Sequence, residues 1–70
     1  MQIATIPFTD HDCGDEAVAI VRVEGGAAGL ALSLKRDGDI EVFLGPEELS
    51  QLIEALREAR SMLPDPKPVI

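Results

Sequence analysis

Residue types able to do chemistry crowd together in one stretch of this sequence, Asp10–His11–Asp12–Cys13–Gly14–Asp15–Glu16. Imidazole and thiolate are zinc ligands, and carboxylates can complete a tetrahedron around the ion. A structural zinc site normally takes a second ligand pair from elsewhere in the chain. Here His11 and Cys13 are the only residues of their types, so a complete site would need two chains, each giving both. Nucleophilic catalysis by Cys13 would need a nearby cation to stabilise the thiolate and an orienting group besides. His11 could serve as the first, and nothing in the sequence supplies the second. The plainer expectation is a solvated acidic loop. No catalytic residue, no metal ligand and no cofactor are assigned, and the chain leans away from being an enzyme.

Two other patterns are weaker. Gly25–Gly26–Ala27–Ala28–Gly29 has the glycine content of a phosphate-binding loop, but it lacks the lysine and hydroxyl of a P-loop and leads into a strand. It reads as a hairpin turn. Glu54 and Glu58 stand one helical turn apart, as paired carboxylates in acid–base catalysis can. With Arg57 between them they read as solvated helix surface.

Charge narrows the partners. The formal net charge is −7, from 13 acidic and 6 basic residues. Affinity for phosphate backbones comes from clustered Lys and Arg, and no such cluster is present, so direct nucleic-acid binding is not expected. Acidity suits a basic protein partner. The longest charge-free run, 25–34, is too short and glycine-rich to cross a membrane. No basic segment leads into an apolar stretch at Met1, and a cytoplasmic protein is expected.

The elements that would position these residues follow from hydrophobic period. Gln2 to Phe8 and Ala17 to Glu24 are rich in β-branched residues and read as strands. Leu30, Leu32 and Leu34 alternate with small or polar residues, as do Ile40, Val42 and Leu44. Parity favours a three-residue turn, Arg36–Asp37–Gly38, because a two-residue turn would send the two apolar sets to opposite faces. That register predicts Leu34 opposite Ile40, Leu32 opposite Val42 and Leu30 opposite Leu44, with Gly38 left-handed. The same reasoning across a Glu24–Gly29 loop pairs Val23 with Leu30, Val21 with Leu32 and Ala19 with Leu34.

The helix has the clearest signals. Gly45 suits the N-cap, Pro46 the first helical position, and Glu48 the capping-box acid. Leu49, Leu52, Ile53, Leu56 and Leu63 form one stripe, and Pro64 ends the helix. Leu52, Ile53 and Leu56 are expected to pack on Leu32 and Val42. The strand–Gly–Pro–Glu–Glu–helix junction from Ile40 to Leu56 resembles that of many small bacterial domains and, distantly, the strand-to-helix end of single-stranded-DNA-binding coactivators. It names no family, and the acidic balance argues against coactivator chemistry.

The whole reads as an α+β domain over 1–63, a small antiparallel β-meander of three or four strands packed on one C-terminal amphipathic helix, followed by a proline-rich tail at 64–70. At this length an unaided core is marginal, and small domains gain stability from disulfides, metals or oligomerisation. One cysteine excludes an internal disulfide. The expectation is therefore a small acidic interaction or regulatory module acting as a homodimer. Its interface is expected on the outer sheet face around Val18, Ile20, Ala31 and Phe43, or along a strand edge. The alternatives are a metal-dependent or thiol enzyme using His11 and Cys13, and an acidic mimic of nucleic acid that inhibits a basic partner.

Overall fold

The computed structural model describes residues 1–36 and 38–64. Four apolar-alternating runs form strands β1 (Gln2–Thr9), β2 (Glu16–Glu24), β3 (Ala27–Leu34) and β4 (Gly38–Leu44), and helix α1 (Pro46–Ser61) follows. The strands pair antiparallel in chain order, β1-β2-β3-β4. The fold is thus an α+β meander with one C-terminal helix. Residues 65–70, the core of the expected tail, lie outside the described residues.

Both registers differ from expectation by two residues. In the β2–β3 pair, Val23 meets Ala28, Val21 meets Leu30, Ala19 meets Leu32 and Ala17 meets Leu34. The turn is not the six-residue stretch Glu24–Gly29 but Gly25–Gly26 alone, with φ of 57° and 78°. A two-residue hairpin of this kind asks for positive φ at both positions, which glycine supplies without strain. Ala27, Ala28 and Gly29 are then free to extend β3. In the β3–β4 pair, Leu34 meets Gly38, Leu32 meets Ile40, Leu30 meets Val42 and Ala28 meets Leu44. Gly38 has the left-handed φ expected of it, 85°, but it opens β4 opposite Leu34 and does not sit wholly in the loop. Residue 37 lies outside the described residues. A two-residue shift returns every side chain to its original face, so burial pattern alone could not separate the two registers. Local pairs distinguish them: the Ser33 hydroxyl donates to Asp39 Oδ1 directly opposite.

The helix begins at the expected residue, but no side-chain hydrogen bond caps it, so the capping-box role expected of Glu48 is corrected to a charge in the first turn. Gly45 is the N-cap in an extended conformation, Pro46 occupies the first turn, and Glu47 and Glu48 face the positive end of the helix dipole. At the C-terminal end Arg60 lies in the last turn. The Met62 and Leu63 amides donate to the Ala59 and Arg60 carbonyls at 3.1 Å, tightening the exit.

Paired positions arrange the helix-facing side of the sheet in four rows. Two near rows, Val23–Ala28–Leu44 and Ala4–Val21–Leu30–Val42, lie toward the Gly25–Gly26 turn. Two far rows, Ile6–Ala19–Leu32–Ile40 and Phe8–Ala17–Leu34–Gly38, lie toward the β1–β2 and β3–β4 loops. Because α1 leaves β4 at Leu44, it starts over the near rows, and among the described residues its backbone comes close only to that of β3 and β4. Leu49, Leu52, Ile53 and Leu56 face Val21, Val23, Ala28, Leu30 and Leu44 across an apolar cavity of about 340 Å³. The expected packing of the stripe on Leu32 and Val42 is therefore corrected: the helix meets residues nearer the turn. Among the described apolar side chains only Ala17 and Ala28 are buried, and no helix residue is.

Candidate binding surface

Width explains what the helix leaves bare. An α-helix with its side chains is about 10 Å across, whereas four strands spaced about 4.8 Å apart present a wider and longer face. One 16-residue helix entering at the turn end cannot cover it. The far rows hold the most exposed side chains of this face, Ile6 at 53% and Ile40 at 61%, while Phe8 and Leu32 there are about as exposed as Val23 and Val42 in the near rows. The helix carries exposed apolar surface of its own, Leu56 being 59% exposed and Ile53 also exposed, although both line the cavity over the near rows. A fully buried Leu or Ile contributes about 1.5–3 kcal/mol, and these side chains realise only part of that. The rim of the exposed helix stripe is basic. Ile53 and Leu56 share a shallow depression with Arg57 and Arg60.

The outer sheet face, where the interface residues were expected, is organised differently. Val18, Ile20 and Ala31 are half-buried and interleaved with Thr5, Ser33, Asp39 and Glu41 in the cross-strand rows. Phe43 is 51% exposed but lies over the backbone of Gly29, where a Cβ would come within 2.9 Å of Phe43 Cε1. The Arg22 guanidinium sits 5.5 Å from the Phe43 ring centroid, a cation–π distance. Its Nη2 donates to Glu41 Oε1 at 3.1 Å and its Nε lies 3.1 Å from Glu41 Oε2, with Glu24 3.6 Å away. Lys35 belongs to the β3–β4 loop and pairs with Glu16 at 3.5 Å. The charged residues of this face and its border, Arg22, Lys35 and Glu41, thus have partners within the chain.

The acidic loop closes on itself. The Asp10 amide donates to the Asp15 carbonyl at 2.9 Å, the Gly14 amide to the Asp10 carbonyl at 2.8 Å, and the Asp12 amide to Asp10 Oδ1 at 2.8 Å. Asp15 faces Arg36 at 3.8 Å. His11 and Cys13 are exposed, and among the described residues no three His, Cys, Asp or Glu side chains gather at metal-binding distance. Glu54 pairs with Arg57 at 3.4 Å. The glycine run of 25–29 is hairpin turn and strand.

Sequence reasoning placed Leu32 and Ile40 on the helix-facing side but took that side as covered, and it did not place Ile6 and Phe8 beside them. The signal was available in strand count and helix width. Four strands and one helix leave half a face unaccounted for. Comparisons with protein-family models, with curated proteins and with solved structures found no match.

Proposed function

We propose that this chain is a non-enzymatic interaction module that works as a homodimer, its binding surface being the far rows and the exposed end of the helix stripe. The observation that carries the reading is the exposure of two sets of apolar side chains, Ile6, Phe8, Leu32 and Ile40 on the sheet and Ile53 and Leu56 on the helix. Exposed apolar surface of this kind marks interaction sites. In a small domain with so little buried, a second chain supplies the missing cover. The setting proposed is the cytoplasm, which suits a single exposed thiol. The net charge of −7 makes a basic protein a suitable further partner for the assembled module.

Light scattering from low to high micromolar concentration tests the reading, with Ile40→Lys as the decisive variant. Ile40 is mostly exposed in the single chain, so the lysine variant should keep its circular dichroism and lose the dimer. A wild-type chain that stays monomeric at high micromolar concentration would overturn the proposal. The outer-face reading rests on the exposure of Phe43. It makes the opposite forecast, that Phe43→Glu yields monomers while Ile40→Lys remains dimeric.

A further inference from the structure

The dimer just proposed leaves its arrangement open, and the charge around the apolar surface narrows it. Ile6, Phe8, Leu32, Ile40, Ile53 and Leu56 are all more than 40% exposed. Together they leave apolar surface on the order of 600 Å² per chain, against the roughly 800 Å² that each partner gives to a standard interface. The half-buried residues between them, such as Leu34 and Ala19, bring the patch closer to that size.

The patch has two parts of different shape, with differently charged borders. One is a flat sheet surface, the far rows, bordered by the β1–β2 loop with Asp10, Asp12, Asp15 and Glu16. Lys35 and Arg36 offset Glu16 and Asp15 there. Asp10 and Asp12 have no ion pair among the described residues. The other part is the helix stripe, Ile53 and Leu56, bordered by Arg57 and Arg60, of which Arg57 already pairs with Glu54 at 3.4 Å while Arg60 has no ion pair among the described residues. A surface carrying both a helix stripe and a sheet platform to receive it is self-complementary, which a two-fold interface requires. Strand-edge pairing is the poorer route to a dimer. Pro7 offers no amide donor on the edge strand β1, and Asp39 and Glu41 load the β4 edge with like charge, both of them devices that discourage edge association.

We infer that each protomer lays the C-terminal half of α1 across the far rows of a second copy of this chain, Ile53 and Leu56 meeting Leu32 and Ile40, with Arg57 and Arg60 set against the partner's Asp10 and Asp12. The arrangement rests on the homodimer reading, and its test separates the two. Native Cys13 lies in the acidic loop, exposed, and Ser61 is exposed at the end of the helix. Wild-type chain, carrying only Cys13, is mixed with a size-tagged Cys13→Ser/Ser61→Cys chain and treated with a short bismaleimide. Every mixed-size product then joins the loop of one copy to the helix end of another.

The expected result is a strong mixed-size band that disappears when either chain also carries Ile40→Lys. Arg57→Glu/Arg60→Glu should weaken association about tenfold at low salt, with the difference shrinking as salt screens it. Restoration of affinity when that chain is mixed with Asp10→Lys/Asp12→Lys would support the pairing directly. Dimers by light scattering that give no mixed-size band and ignore the charge reversal would overturn the arrangement while leaving the homodimer intact. Monomers throughout would overturn both.

Discussion

Leu30 and Leu32 stand two residues apart on β3 and point to the same side of the sheet, yet they meet different surroundings. Leu30 lies in a near row, half-buried under Leu49, Leu52 and their neighbours on α1. Leu32 lies in a far row with no helix above it and is exposed. The strands, the residue types and the alternation are the same in both halves. What differs is distance from the Leu44–Gly45 exit, where the helix is launched. Hydrophobic alternation decides which face a side chain takes, whereas cover depends on where the covering element starts and how wide it is.

The sharpest way to break this comparison is to truncate the two leucines separately. Leu30→Ala should destabilise folding by about 2–4 kcal/mol, near the usual cost of emptying a packed site. Leu32→Ala should cost about 1 kcal/mol in the isolated chain, since much of its surface is already in water. Urea melts at concentrations below dimerisation measure both, and equal midpoints would show that the helix does not divide the face.

The helix offers a second pair. Leu52→Ala should cost about 2 kcal/mol at any concentration. Leu56→Ala should cost under about 1 kcal/mol when dilute and more when concentrated, because a chain that binds only the folded state stabilises it by mass action. Thermal melts across a concentration series read this directly. A Leu56→Ala deficit that does not change with concentration would place Leu56 in the core of the single chain.

The smallest effect is expected on the opposite face. Gly29→Ala introduces a methyl 2.9 Å from Phe43 Cε1 and 3.1 Å from Arg22 Cγ. The ring and the arginine must shift, at about 1 kcal/mol. Association should be unaffected, since that cluster is paired within the chain. A loss of dimer in Gly29→Ala, seen by light scattering, would move the interface to the outer face.

Much of this architecture was legible in the residues themselves. Pro46, Glu47, Glu48 and the leucine stripe marked α1 and its first residue, because helix-start signals and period are local properties of the chain, although the helix ends at Ser61, before Leu63. The facing of Leu30, Leu32, Leu34, Ile40, Val42 and Leu44 followed from parity, because side chains alternate with period two whatever the turn. Gly38 was correctly assigned a left-handed conformation for the same local reason. The registers were not legible, since a two-residue slip preserves every facing. They were decided by the Gly25–Gly26 turn and by cross-strand partners such as Ser33 with Asp39. The pairing of Arg22 with Glu41 and Phe43 was equally invisible, as it depends on which residues the sheet brings side by side. The bare far rows are also a property of tertiary structure alone, since sequence pattern records a side chain's direction and carries no measure of how far a neighbouring helix reaches across the sheet.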